Sequence, residues 1–189
     1  MRIIAGRLKG SKLYLPKDNS TRPLKDLVRE SIFNLLIHSN KISFQLARSN
    51  VLDLYAGTGS FGLECLSRHA KNVYFVENEK FAFKILKKNI EKFKLGKKTK
   101  IFFNDAFRMI KKKNIFQSKF DLIFCDPPFK NTNVETLIEL IFNRNLLNKN
   151  GIIILHRNKT AKEKLPNFFK IIDGRVYGMS KIIFGRFLY

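Results

Sequence analysis

Between residues 51 and 155, short apolar runs alternate with stretches of helical periodicity, and this alternation constrains the fold more than any other feature of the chain. The runs 51–55, 73–76, 100–103, 120–125 and 152–155 read as strands, and 61–68, 79–93, 106–112 and 134–143 read as helices. Strands that are apolar on both faces need cover on both, and crossovers through helices make neighbouring strands parallel. Two final runs, 170–177 and 181–188, are separated only by Gly178, Met179 and Ser180. A parallel crossover needs a dozen or more residues, so this pair forms an antiparallel hairpin. The expected class is therefore α/β: a mostly parallel seven-stranded sheet, helices on both faces, and an antiparallel C-terminal hairpin.

Ahead of the sheet, residues 1–15 alternate apolar and basic side chains around Gly6 and Gly10, the pattern of a short basic hairpin with a cationic outer side. After Pro23 the apolar positions Leu27, Val28, Ile32, Leu35 and Leu36 give a helix over 25–37. Residues 1–20 thus read as a basic extension and 21–189 as one main domain, since 189 residues leave no room for a second. The 37 Lys and Arg against 15 Asp and Glu give a formal net charge of +22, which favours a polyanionic partner through counterion release. No apolar run approaches the roughly 18 residues needed to cross a bilayer. Residues 1–10 also lack the apolar core of a signal peptide, so a soluble, cytoplasmic monomer is expected. Cys65 and Cys125 have neither zinc-site nor disulfide spacing and read as inert packing residues.

The segment Asp53-Leu-Tyr55-Ala-Gly57-Thr-Gly59-Ser-Phe-Gly62 lies where a strand hands over to a helix, so its glycines permit a tight turn and close approach to a ligand. No Gly-Lys-Ser/Thr follows, which excludes a phosphate-cradling P-loop. A dinucleotide site fits the glycine spacing, with Glu77 placed to accept from ribose hydroxyls. Asp53 argues for a different ligand, because an acid before the loop suits a cationic amino group and repels a pyrophosphate. At the end of the third strand, Asn104-Asp105-Ala106 sits at the ligand edge of the sheet; Asp105 could accept from an adenine amine and equally suits a helix N-cap.

Asp126-Pro127-Pro128-Phe129 follows the fourth strand. A base amine is a weak nucleophile because its lone pair is delocalised into the ring. A carboxylate and a carbonyl that both accept from the NH2 hold that lone pair towards a methyl donor. Two prolines fix φ and contribute no donors, so such a loop presents acceptors rigidly. Phe129 offers a face for base stacking, worth roughly 1–3 kcal/mol. No metal is called for: His38, His69 and His156 are scattered without ligand spacing and read as surface or packing residues. A Ser-His-Asp hydrolase is unsupported for the same reason.

Taken together, the glycine loop, Glu77, Asn104-Asp105 and Asp126-Pro127-Pro128-Phe129 resemble the class I (Rossmann-like) methyltransferases that use S-adenosylmethionine. More narrowly, the chain is similar to the bacterial family that methylates a guanine N2 in 16S ribosomal RNA. The likeness runs through Arg2-Ile-Ile-Ala-Gly6, Arg22-Pro23, Asp26-Leu-Val-Arg29-Glu30-Ser-Ile-Phe33-Asn34, the segment 53–68, Phe120-Asp-Leu-Ile, and Tyr177-Gly178. Lys25, Ser60 and Met179 depart from the family's usual Thr, Ala and Asp. The resemblance implies that Asp53, Tyr55, Gly57 and Gly59 line the methionine end of the cofactor, Glu77 its ribose, and Asn104, Asp105 and Ala106 its adenine. It also implies that Asp126 and the Pro127 carbonyl hold the target amine while Phe129 stacks on the base. Arg2, Arg7, Arg22, Arg29 and Asn34 are the candidate RNA contacts, and 16S ribosomal RNA or an assembling small subunit the partner. A DNA adenine or cytosine amino-methyltransferase, a nicotinamide oxidoreductase and a non-catalytic RNA-binding module remain as alternatives. The lack of a separate target-recognition domain weighs against the first.

Overall fold

The computed structural model describes residues 1–16, 24–128, 133–162 and 164–189. Its elements run α1 (Asp26–His38), β1 (Asn50–Leu54), α2 (Ser60–Ser67), β2 (Asn72–Glu77), α3 (Lys80–Lys92), β3 (Thr99–Phe103), α4 (Ala106–Lys111), β4 (Phe120–Cys125), α5 (Val134–Asn143), β5 (Leu147–Asn158), β6 (Phe169–Tyr177) and β7 (Ser180–Phe187). They form one seven-stranded sheet in the order β3-β2-β1-β4-β5-β7-β6. The first five strands are parallel, and β7 is antiparallel to both β5 and β6.

The alternation of side chains along each strand divides the core in two. Val51, Phe75, Leu122, Phe124, Ile152 and Ile154 pack on one face with residues of α1, α2 and α3. Leu52, Leu54, Val76, Ile123, Cys125 and Leu155 pack on the other with α4 and α5. Strands covered on both faces have no polar side to alternate with, which is why they read as continuous apolar runs. Cys65 and Cys125 are free and buried, and burial pushes both thiols up from their ordinary value, as packing cysteines require.

Two elements differ from the sequence reading. β5 begins at Leu147, five residues ahead of the apolar run 152–155. Here Leu147 pairs with Phe120 across a register shift, and Asn148 donates to Asp121 at 2.6 Å, so polar partners extend a strand that hydrophobicity would have ended. The N-terminal segment does turn back on itself, but through a single antiparallel bridge, Arg2 to Lys12, rather than two strands. Its hold on the domain comes from elsewhere. The buried Glu64 carboxylate on α2 accepts from the amides of Ile4 (2.7 Å) and Ala5 (2.9 Å), and the Arg7 amide donates to the Ser67 carbonyl at 2.9 Å. Gly6 has φ +81° and lies against the Ser67 backbone, leaving no space for a Cβ. Ile3 and Leu13 then enter the same core as α1 and α2, while Arg2, Arg7, Lys9 and Lys12 stay exposed.

The sheet order reverses between β1 and β4, and open parallel sheets collect ligands beyond the carboxyl ends of strands at such a point. In the β1/β4 register Leu54 faces Cys125, so the glycine loop and Asp126 emerge side by side.

Candidate active site

A cavity of about 520 Å³ opens at this reversal, within the size range of small-molecule sites. Asp53, Tyr55, Ala56, Gly57, Phe61, Glu77, Glu79, Phe124, Asp126, Pro127 and His156 are among its lining residues. The N-terminal end of α1, at Leu24 and Lys25, and the β6–β7 turn, at Tyr177, Met179 and Ser180, also reach it.

At the β1 end the chain turns through Tyr55 (φ +62°), Gly57 (φ +57°) and Gly59 (φ +85°). A β-carbon on Gly59 would collide with Leu86 of α3, so this position needs glycine for both its dihedral and its space. Tyr55 holds a left-handed conformation that bulky residues adopt only where the surroundings impose it, as ligand sites often do. Asp53 is 1% exposed; Oδ2 accepts from the Gly62 amide at 3.0 Å, whereas Oδ1 is buried without a partner among the described residues. Burial pushes the Asp53 carboxyl well above the ordinary carboxylate range, and the neighbouring Asp126 and Glu77 push it further. The Tyr55 hydroxyl is likewise buried and, among the described residues, unpaired. Glu77 is engaged through both oxygens, with the Gly57 amide at 2.6 Å and the Glu79 amide at 2.7 Å, and so fastens the loop to the end of β2.

An orphaned carboxylate oxygen among several acids, in a chain with a net charge of +22, is a site prepared for a cation. S-adenosylmethionine carries a sulfonium and an ammonium, so the residues present fit it. A pyrophosphate would meet repulsion from Asp53, Glu77 and Asp126.

At the β4 end the Asp126 amide donates to the Leu54 carbonyl at 3.4 Å, which seats the loop beside β1. Asp126 Oδ1 lies 2.7 Å from His156 Nδ1, and His156 Nε2 lies 2.9 Å from the Ser180 hydroxyl. Beside it, Arg157, 2% exposed, donates to the carbonyls of Pro127 (3.4 Å) and Pro128 (3.3 Å). His156 is therefore not the surface or packing residue expected from sequence. Because Cys125 faces Leu155 in the β4/β5 register, the next residue on each strand, Asp126 and His156, come together at the cavity edge. The available signal was that an apolar run ends in His-Arg at the same sheet edge as the Asp-Pro-Pro loop.

Asp53, Tyr55, Gly57, Glu77, Asp126 and Pro127 are thus gathered around one cavity. Gly59 supports the loop from beneath as the N-cap of α2. Asn104, Asp105 and Ala106 are not among the lining residues. Asp105 Oδ1 accepts from the Arg108 amide at 3.0 Å as the N-cap of α4, and Asn104 Oδ1 accepts from the Asp105 amide at 2.9 Å. Phe129 and Arg22 fall outside the described residues.

Arg29 corrects the expected set of RNA contacts. It is fully buried, donating to the Arg2 carbonyl and to Asp26 (3.0 Å), so its guanidinium ties α1 to the N-terminal segment and presents nothing to a ligand. Burial draws it below its ordinary value against the pull of Asp26 and Glu64. Asn34, Arg2 and Arg7 are exposed. Sequence reasoning gave no role to Glu64 or to Asn89. The buried Asn89 side chain accepts from the Tyr14 amide (2.8 Å) and donates to the carbonyls of Tyr14 (3.2 Å) and Thr58 (3.0 Å), joining the N-terminal segment to the glycine loop. A lone acid inside the apolar helix Ser60–Ser67 was the one visible hint of Glu64.

The chain is similar to proteins named as ribosomal RNA methyltransferases. The small-subunit ribosomal RNA methyltransferase D of Haemophilus influenzae is 33% identical over 179 residues, covering 95% of this chain and 90% of that protein. The enzyme of the same name from Buchnera aphidicola of Acyrthosiphon pisum is 33% identical over 174 residues, covering 92% and 86%. Among solved structures, yhhF of Escherichia coli superposes with a TM-score of 0.84 at 26% identity, covering 99% of this chain and 97% of its own. HI0767 of Haemophilus influenzae gives 0.79 at 30% identity, covering 100% and 98%. With residues 1–186 matched by the family described as Conserved hypothetical protein 95, the chain belongs to that family, the one of the small-subunit ribosomal RNA methyltransferases D.

Proposed function

We propose that this methyltransferase transfers the methyl group of S-adenosylmethionine to the exocyclic N2 amine of a guanine in 16S ribosomal RNA. The observation that carries the reading is the juxtaposition, in one cavity, of an unpaired Asp53 oxygen prepared for a cation and the Asp126 carboxylate one strand away. When bound, S-adenosylmethionine supplies a methyl already activated by its sulfonium, so the protein's task is to orient the nucleophile.

Asp53 Oδ1 and the loop at Tyr55, Gly57 and Gly59 hold the amino-acid end of the cofactor. Glu77 keeps a lone pair on each oxygen for ribose hydroxyls, and the adenine would extend beyond the cavity lining towards Asn104, Asp105 and Ala106, just after β3. Asp126 Oδ2 accepts from the guanine NH2, and the Pro127 carbonyl, with its second lone pair, accepts the other hydrogen. Holding both hydrogens to one side of the base plane favours a pyramidal nitrogen and turns its lone pair towards the methyl donor. Methylation releases one of these protons, and the Asp126 carboxylate is the acceptor placed to take it. Phe129 stacks on the base. The exposed Arg2 and Arg7, together with Arg22, meet backbone phosphate, with Asn34 nearby on α1. The relatives named for ribosomal RNA leave the DNA alternative without support.

The test is mass-spectrometric mapping of methylated nucleosides in 16S ribosomal RNA from cells with and without the protein. One N2-methylguanosine should vanish and return on complementation. An unchanged nucleoside map would refute the reading.

A further inference from the structure

Asp126 can direct an amine lone pair only if its carboxylate plane is fixed, and the loop that carries it does not fix it. Prolines at 127 and 128 stiffen the backbone but leave the Asp126 side-chain torsions free. Restraint comes instead from β5, one strand further from the cofactor loop. His156 reaches Asp126 Oδ1 at 2.7 Å, and Arg157, next along the strand, donates to the carbonyls of Pro127 and Pro128.

We infer that His156 is a positioning residue for methyl transfer: it holds Asp126 Oδ1 and thereby leaves Oδ2 turned to the target amine. The inference rests on the function proposed above and extends it to a residue that acts through Asp126.

An ionised carboxylate only accepts, so the hydrogen in this contact belongs to Nδ1, and in the neutral ring Nε2 is then left to accept from the Ser180 hydroxyl. The carboxylate therefore selects the tautomer, and the Ser180 hydroxyl, which can donate to Nε2, holds the ring in that orientation. Two anchors make the ring rigid where one would let it rotate. Ser180 begins β7 at the end of the turn carrying Met179, which is 48% exposed at the cavity mouth. The chain Ser180–His156–Asp126 thus locks the carboxylate to the C-terminal hairpin as well as to β5, using residues from positions 126, 156 and 180. Among the described residues no other side chain is seen to engage Asp126 Oδ1.

The experiment compares His156→Phe, which keeps a ring without nitrogens, with His156→Asn, whose amide nitrogen can stand near the Nδ1 position, and His156→Gln, whose amide reaches towards Nε2. Labelled methyl transfer to 16S ribosomal RNA gives kcat and the KM for S-adenosylmethionine, and calorimetry gives the affinity for S-adenosylhomocysteine. Loss of a hydrogen bond to a charged group predicts a fall in kcat of about 10- to 100-fold in His156→Phe, with S-adenosylhomocysteine affinity within about twofold of wild type. His156→Asn should recover most of that loss and His156→Gln little of it. Undiminished kcat in His156→Phe overturns the inference, and so does a parallel fall in kcat and S-adenosylhomocysteine affinity. If His156→Phe does not fold, the Asn and Gln variants decide alone, equal rates overturning it. Wild-type protein that leaves ribosomal RNA unmethylated would sink the functional reading and this inference together, whereas an active wild type with an indifferent His156 sinks only the inference.

Discussion

The two ends of the cavity are built in opposite ways. The cofactor end comes from one contiguous stretch, Asp53 to Gly62, whose shape follows from glycines at positions of positive φ and from a strand that stops where they begin. The acceptor end is assembled from Asp126, His156, Arg157 and Ser180, which only the sheet brings together. Their electrostatics differ as well. Among the described residues Asp53 is buried with one oxygen unanswered, while Asp126 already has one oxygen committed to a protein partner. Binding should therefore be concentrated at the first end and chemistry at the second.

Replacing Asp126 with Ala tests that division most severely. Turnover should fall about 10³-fold, near 4 kcal/mol in the barrier, as removal of a general base or aligned acceptor commonly does. S-adenosylhomocysteine affinity should stay near wild type; a parallel loss would mean that the two ends are not separable.

Neither end should matter to Glu64→Ala, whose effect lies in the fold. It strips the Ile4 and Ala5 amides and Arg68 of a fully buried carboxylate, at a cost of about 3 kcal/mol. Thermal denaturation with and without residues 1–16 checks this. The penalty should shrink once the segment that needs Glu64 is gone.

Asp53→Asn should lower S-adenosylhomocysteine affinity by about 10- to 100-fold, since an amide cannot answer an ammonium. Its effect on the ligand-free protein has the opposite sign. The folded state raises this carboxyl, so the contribution of Asp53 to stability is present at low pH and is lost as pH rises from the ordinary carboxylate value through the folded one. The Asn variant escapes that loss. It should melt above wild type at pH 7 and converge with it near pH 3, and a lower melting point at pH 7 would contradict the strain assigned to this site.

The smallest effect belongs outside the cavity. Arg7→Glu with Lys12→Glu should weaken RNA binding several-fold and flatten its salt dependence by about two phosphate contacts, leaving S-adenosylhomocysteine affinity untouched. Filter binding across a salt series measures both.

Much of the molecule could be read along the chain because its signals are local. The seven strands, five helices, glycine turn and antiparallel end all follow from periodicity and connection length, and β4 and α5 fall where the apolar patterns place them. That Asp53, Glu77 and Asp126 would meet at one cavity was legible because a parallel sheet brings the ends of its strands to one edge. Arg29 was misread for an instructive reason: a charged residue at one helix position does not announce whether another segment will cover it, and here residues 1–15 do. Asp105 could suit an adenine or a helix end, and its side chain caps α4.

By itself, then, the sequence determined which elements form and which strand ends carry acids, because dihedral preference, hydrophobic period and loop length act over a few residues. Tertiary structure alone decided that β5 lies beside β4 in the register that sets His156 against Asp126, and that a buried Glu64 holds the N-terminal segment. Those outcomes depend on pairings 30 and 60 residues apart, where the contact exists only once the intervening chain has packed.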